Sequence, residues 1–217
     1  MDITVNGVRL WYEDRGEGRP LLLVHGNGES SEIFDRVIPA LAEHFRVIAV
    51  DSRCHGRSQD PAAITYDLMA RDLIDLIRTL GLHRPIFYGF SDGGIVGLLI
   101  AMKEPELLGK LIVSGANLNP GGLRWITRLG IRLEHMRYPS KLTGLMLREP
   151  DISPEALGKI QVPTVVLAGS RDVVKPGHTR LIARSIPGST LRILPGEGHG
   201  SYIIHSPKLY DILKPYL

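Results

Sequence analysis

A serine flanked by glycines stands out in the segment Gly89-Phe90-Ser91-Asp92-Gly93. This G-x-S-x-G pattern joins a short apolar run at 85–90 to an apolar, helix-like run at 95–102. A serine on so sharp a strand-to-helix turn projects its hydroxyl above the edge of a sheet. The flanking glycines remove side chains that would collide where backbone approaches backbone. The sequence therefore predicts Ser91 as a nucleophile, with the amide of Asp92 directed toward the charge that develops beside Ser91.

A serine nucleophile needs a base that accepts its proton and a third group that orients the base. Candidates for both roles follow later apolar runs. Asp172 comes shortly after the run 162–168, and His199 comes shortly after the run 191–194. The order Ser91, Asp172, His199 along the chain is that of one known arrangement of a catalytic triad. We expect these three side chains to meet.

Strand and helix patterns alternate along most of the chain. The turn Asn6-Gly7 predicts a hairpin between strands at 3–5 and 8–13. Further strands are predicted at 21–24, 45–50, 85–90, 111–113, 162–168 and 191–194. Helices are predicted from about 31 to 41, at 65–80, 95–102 and 176–185, and over 202–217. Alternation without an internal repeat indicates an α/β fold with a mostly parallel sheet, whose sites lie at the carboxyl ends of the strands.

Four of these strand ends carry motifs that resemble those of the α/β-hydrolase superfamily. They are His25-Gly26-Asn27-Gly28, the loop 51–58, the turn 89–93 and Gly198-His199. The resemblance covers nearly the whole chain. It implies an α/β-hydrolase fold in a single domain, 1–217, with a mostly parallel eight-stranded sheet flanked by helices. Cys54 stands where the superfamily usually has glycine.

The resemblance also implies a role for each motif residue. Ser91 is expected to be the nucleophile, His199 the general base and Asp172 the acid that orients it. The backbone amides of Asn27 and Asp92 are expected to form the oxyanion hole. Some relatives place the acid after an earlier strand, but the corresponding segment here, 113–117, has no carboxylate.

The side chain of Asp92 is free for another use, since only its amide would serve the oxyanion hole. It either attracts a substrate amino group or forms hydrogen bonds within the turn. The elbow 91–94, together with Gly115-Ala116-Asn117, resembles biphenyl-hydrolase-like members that act on amino-acid esters. Asp92 is therefore a candidate substrate-binding residue.

The alternation lapses over 121–160, where the superfamily inserts a cap above the active site. About 40 residues predict a small cap of one to three helices. Three arginines recur every four residues on a predicted helix: Arg124, Arg128 and Arg132. They either form a solvated helix face or attract acidic substrates. Apolar neighbours available for packing are Trp125, Ile126, Leu129 and Leu133. Trp125 is a further candidate substrate contact.

Composition narrows the classes of protein. The 217 residues are 43% hydrophobic and 23% charged, which is typical of a globular domain. A formal charge of +3 is too small to indicate a nucleic-acid partner. No apolar stretch reaches the roughly 20 residues of a bilayer span, so no membrane partner is predicted. A single cysteine and the absence of a signal-peptide pattern predict a cytoplasmic location.

Together these features predict a serine hydrolase that cleaves a small carboxylic ester or related acyl compound through an acyl-enzyme. No metal is expected, because there is no H-E-x-x-H motif or Cys/His cluster. No nucleotide cofactor is expected, because G-x-G-x-x-G is absent after the first strands. A lactonase, a C–C bond hydrolase and a cofactor-free perhydrolase remain compatible with the same triad. A ligand receptor on the same fold is the non-enzymatic alternative.

Overall fold

Eight strands form one sheet at the centre of the protein, in a computed structural model that describes all 217 residues. The strands are β1 Asp2–Val5, β2 Val8–Arg15, β3 Arg19–Val24, β4 Phe45–Asp51, β5 Ile86–Phe90, β6 Lys110–Ser114, β7 Thr164–Gly169 and β8 Thr190–Leu194. Their spatial order is β1-β2-β4-β3-β5-β6-β7-β8. Only β1–β2 and β2–β4 pair antiparallel. The predicted mostly parallel eight-stranded sheet is confirmed.

Helices cover both faces of the sheet. They are α1 Ile38–Ala42, α2 Tyr66–Thr79, α3 Asp92–Lys103, α4 Trp125–Arg137, α5 Lys141–Arg148, α6 Pro176–Ser185 and α7 Lys208–Leu213. Buried residues of α2, α3 and α6 belong to one hydrophobic core, and those of α1 and α7 belong to a second. None of the helices combines the length and the apolarity that a membrane span requires.

Strand β3 shows why its apolar run is continuous. Leu22 and Val24 pack into the first core, whereas Leu21 and Leu23 pack into the second. Successive side chains of a strand point to opposite faces, so a strand covered on both faces needs an apolar residue at every position. This pattern fixes the strand in the centre of the sheet, with its carboxyl end beside that of β5.

Two predicted helices are shorter than expected. The segment predicted to be helical from about 31 to 41 divides into a 3₁₀ turn, Ser31–Phe34, and the short helix α1. The predicted terminal helix 202–217 is reduced to α7, which follows a series of turns. Pro207 occupies the N-cap position of α7. A proline has no backbone N–H that could donate to a preceding helical turn.

The segment 121–160, called the cap below, holds α4, α5 and a 3₁₀ turn at Pro154–Lys159. This agrees with the expected one to three helices. Ser140 caps α5 by accepting the amide N–H of Thr143 at 3.1 Å. The Thr143 hydroxyl in turn lies 2.7 Å from Nδ1 of His135 on α4. These contacts hold α4 against α5 at the carboxyl edge of the sheet.

Candidate active site

Ser91 occupies a strained turn between β5 and α3. Its φ of 53° and ψ of −112° lie outside the regions that a residue with a side chain normally adopts. Gly89 and Gly93 make the turn possible. A Cβ on Gly89 would lie 2.2 Å from the Gly93 carbonyl oxygen, and one on Gly93 would lie 2.3 Å from that of Val24. Only glycine fits at both positions, so the turn holds Ser91 at the end of β5.

The structure brings Ser91, His199 and Asp172 together. Nε2 of His199 lies 3.1 Å from Oγ of Ser91, and Nδ1 of His199 lies 2.7 Å from Oδ1 of Asp172. Asp172 is buried and also accepts the amide N–H of Val174 at 2.9 Å, which fixes its carboxylate. A Cβ on Gly115 would lie 2.7 Å from Cε1 of His199, so this glycine leaves room for the imidazole. The three side chains have the geometry of a nucleophile, a base and an orienting acid.

The two residues predicted to supply oxyanion amides lie beside Ser91. Asn27 follows β3, and Asp92 is the first residue of α3. Neither backbone amide donates to another backbone group. The amide of Gly93 donates to the His25 carbonyl oxygen at 3.1 Å, which joins the loop after β3 to the start of α3. Both free amides are therefore available to a substrate oxygen near Ser91.

The carboxylate of Asp92 links parts of the site that are far apart in sequence. It is only 3% exposed. Its Oδ2 accepts Nδ2 of Asn27 at 2.9 Å, and its Oδ1 accepts the hydroxyl of Tyr66 at 2.8 Å. Burial raises the pKa of Asp92, while the hydrogen bonds from Asn27 and Tyr66 act in the opposite direction. The side chain of Asp92 thus connects its own turn to Asn27, the other predicted oxyanion residue. Its hydrogen bonds are not confined to the turn.

Two further carboxyl groups adjoin the site, and the sequence patterns did not predict either of them as a site residue. Glu29 accepts the amide N–H of Gly26 at 2.9 Å, and burial raises its pKa. Glu149, at the end of α5, accepts the amide N–H of Tyr66 at 3.0 Å. Glu29 directly follows the loop 25–28, so its position beside a motif was a usable signal. No local pattern marks Glu149.

A cavity of about 260 Å³ opens above Ser91 and His199. Its acidic lining residues are Glu29, Asp92 and Glu149. Its apolar lining residues are Phe90, Leu123, Ile131, Met146 and Val173. No lysine or arginine lines it. The volume suits a small molecule, and the lining is apolar with carboxyl groups near the serine.

The structure does not bring Trp125 into this cavity. Trp125 is 71% exposed and is the first residue of α4. Arg128 and Arg132 also lie outside the cavity lining, whereas Arg124 donates from Nε to the Asp172 carbonyl oxygen at 2.8 Å. The apolar residues of α4 that were available for packing are exposed instead. No three His, Cys, Asp or Glu side chains form a group that could hold a metal ion.

Comparison with known proteins identifies the family to which this chain belongs. A sequence model of the family described as alpha/beta hydrolase fold matches residues 19–138, which is more than half of the chain. The chain belongs to this family and is a hydrolase of the α/β type, as its motifs indicated.

The similarity to its relatives extends over most of their length. The chain is 28% identical to AB hydrolase superfamily protein YisY of Bacillus subtilis, across 98% of this chain and 97% of that protein. It is 26% identical to the human serine hydrolase BPHL, across 99% of this chain and 85% of that protein. A solved structure of a thermophilic esterase from Thermogutta terrifontis matches with a TM-score of 0.81 and 25% identity, across 100% of this chain and 97% of the esterase.

Proposed function

We propose that the protein hydrolyses small carboxylic esters through an acyl-enzyme on Ser91. The observation that carries this proposal is the hydrogen-bonded series Ser91–His199–Asp172, with distances of 3.1 and 2.7 Å, on a strained strand-to-helix turn. Such a series activates a hydroxyl that is otherwise a poor nucleophile.

In the first half-reaction, Nε2 of His199 takes the proton of Ser91 as Oγ attacks the ester carbonyl carbon. The oxyanion that forms accepts the amide N–H groups of Asn27 and Asp92. Each such donor contributes about 3–4 kcal/mol to the stability of the transition state. The C–O bond of the ester then breaks, and the imidazolium of His199 gives its proton to the departing alkoxide. Asp172 stabilises the imidazolium through its hydrogen bond to Nδ1.

In the second half-reaction, His199 takes a proton from water as the water oxygen attacks the acyl carbon. A second oxyanion forms at the same two amides. The bond from the acyl carbon to Oγ of Ser91 breaks, Ser91 regains its proton from His199, and the carboxylic acid leaves. His199 passes the proton of Ser91 to the departing alkoxide and later passes the proton of water to Ser91, so the enzyme is regenerated.

The cavity supports a narrower substrate class. Three carboxyl groups and no arginine or lysine line it, and Asp92 lies next to the nucleophile. The sequence left open whether Asp92 or the cap arginines select the charge of the substrate. Since Arg128 and Arg132 lie outside the lining, the field inside the cavity favours a substrate with a cationic group, such as an α-amino ester.

The decisive test combines labelling with turnover. The wild-type protein is expected to react with an organophosphonate at one residue and to hydrolyse a short p-nitrophenyl ester. Ser91→Ala is expected to abolish both, while Ser189→Ala, which changes a serine outside the cavity, leaves both intact. Labelling that survives Ser91→Ala would refute the proposed nucleophile.

A substrate panel separates the remaining activities. Esters, lactones and thioesters of equal acyl size compare the ester hydrolase with a lactonase. A C–C bond hydrolase would leave the simple esters uncleaved while turning over a vinylogous diketone acid. A ligand receptor would bind such compounds with negligible turnover, which would overturn the enzymatic proposal itself.

A further inference from the structure

Helix α4 presents its apolar side chains to solvent. None of its 13 residues is buried. Its large exposed apolar residues, between 45% and 78% accessible, are Trp125, Ile126, Leu129, Leu133 and Met136. At 3.6 residues per turn these five positions fall within an arc of about 100°. A surface helix normally turns such an arc toward the core. Here the arc faces outward and is called the outer face of α4.

The outer face is bordered by cations. The helical period places Arg132 at one border and Arg137 at the other, with Arg128 one step beyond Arg132. These three arginines form no salt bridge with any carboxylate. The acidic residue of the helix, Glu134, falls on the side away from the arc. An apolar stripe between arginines that lack a carboxylate partner is complementary to a lipid surface, whose interior is apolar and whose headgroups are anionic.

We propose that the outer face of α4 docks on the surface of an anionic lipid bilayer. In this arrangement the helix lies in the plane of the interface. The apolar arc enters the boundary of the acyl chains, and the arginines contact lipid phosphates, as in other interfacial amphipathic helices. This proposal departs from the sequence-based expectation of no membrane partner. That expectation was based on the absence of a spanning segment, and a helix that lies on a surface needs no apolar stretch of that length.

Charge favours lipid over a second copy of the chain as the occupant. Pairing two outer faces would bring Arg128, Arg132 and Arg137 of each copy toward those of the other. The Glu134 side chains point away from the arc and could not compensate. Like charges facing one another across an interface oppose association, whereas anionic headgroups neutralise them.

The position of α4 connects this surface to the cavity. Thr127 and Ile131, on the inner side of the helix, line the cavity above Ser91. Docking of the outer face would therefore hold the cap and the cavity beside the lipid. The docking does not depend on the proposed reaction, because binding to vesicles is measured without any substrate.

The test measures binding to vesicles of two compositions. Vesicles of phosphatidylcholine with about 30% phosphatidylglycerol are compared with pure phosphatidylcholine, by co-sedimentation at low and high salt. The protein is expected to bind the anionic vesicles at least about tenfold more strongly, and added salt is expected to weaken this binding. In a Trp11→Phe background, the fluorescence of Trp125 is expected to shift to the blue on binding.

Variants of the outer face have matched controls elsewhere on the surface. Leu129→Gln with Leu133→Gln is expected to reduce binding at least about tenfold. Arg132→Gln is expected to reduce it about fivefold, the effect typical of one cation near an anionic surface. Leu191→Gln and Arg180→Gln change exposed residues outside the cap and are expected to leave binding unchanged. An unaltered circular dichroism spectrum would show that each variant is folded.

Three results would overturn the proposal. The first is absence of binding to the anionic vesicles, and the second is equal binding by the wild type and the double leucine variant. The third is a dimer, seen by sedimentation at the same concentrations, that the double leucine variant dissociates. That result would assign the outer face of α4 to a second copy of the chain.

Discussion

Replacing Asp92 with asparagine removes one negative charge from the candidate site while keeping its shape. The amide oxygen of the new side chain can still accept the hydroxyl of Tyr66. The NH₂ group of the new asparagine would face Nδ2 of Asn27. The carboxamide of Asn27 can turn, so that its oxygen accepts a hydrogen bond from this NH₂ group. Asp92→Asn is therefore expected to fold normally and to test the charge alone.

The size of the effect follows from Coulomb's law. A substrate ammonium about 4 Å from the carboxylate gains roughly 4 kcal/mol at an effective dielectric near 20, before desolvation is subtracted. If about 1.4 kcal/mol of this attraction remains in the transition state after desolvation, kcat/KM for the ammonium substrate changes about tenfold. Because burial raises the pKa of Asp92, the preference for the ammonium should grow as pH rises and the carboxyl ionises. It should decline again once the substrate amine loses its proton.

The assay compares kcat/KM for an α-amino ester and for its uncharged isostere. Asp92→Asn is expected to lower the first about tenfold more than the second. Glu197→Gln is the matched control, because it removes a carboxylate that pairs with Lys208 outside the cavity lining. Equal losses on both esters would refute the reasoning. They would show that Asp92 acts only by holding Asn27 and Tyr66.

Three further predictions concern catalysis and stability. Under the proposed mechanism, Asp172→Asn is expected to lower kcat for ester hydrolysis about 10⁴-fold, because His199 would lose its orienting acid. The circular dichroism spectrum is expected to stay unchanged. Burial lowers the pKa of His25 to about 4, so the folded protein holds this imidazole neutral while the unfolded chain takes up a proton below pH 6.5. The free energy of unfolding should therefore fall by on the order of 3 kcal/mol as the pH drops from 6.5 toward 4. Urea titrations should show this loss, and His25→Gln should flatten it. Gly89→Ala is expected to prevent stable folding, because its Cβ would overlap backbone atoms. Gly130 lies on α4 with open space around it, so Gly130→Ala should raise the free energy of unfolding by up to about 1 kcal/mol in the same titrations.

Two features could be predicted from local sequence patterns: the sheet, and the proximity of Ser91, Asp172 and His199. A strand buried on both faces is apolar at every position, and a tight strand-to-helix turn needs its glycines. Parallel strands bring their carboxyl ends to one edge, so residues distant in sequence meet without any further information. The arrangement of these three side chains is a consequence of that topology.

The cap could not be predicted in the same way. Periodicity shows that α4 has an apolar side and a polar side, but it does not show which side meets the protein. The inner side, with Thr127 and Ile131, proved to be the less apolar one. The contact of Glu149 with Tyr66 likewise depends on how the cap packs, and no local motif encodes it.

The two charge patterns of this protein lie on opposite sides of one helix. Carboxyl groups line the cavity beneath α4, and arginines that lack a carboxylate partner border its outer face. Arg132 and Arg137 are exposed, and the interactions of exposed charges fall off within about 8–10 Å in physiological salt, so the outer pattern acts mainly on what it contacts. Substrate charge selection should therefore respond to Asp92→Asn and not to Arg132→Gln, while vesicle binding should respond to Arg132→Gln and not to Asp92→Asn. Cross-effects of similar size in both assays would mean that the inner and outer sides of α4 are not independent.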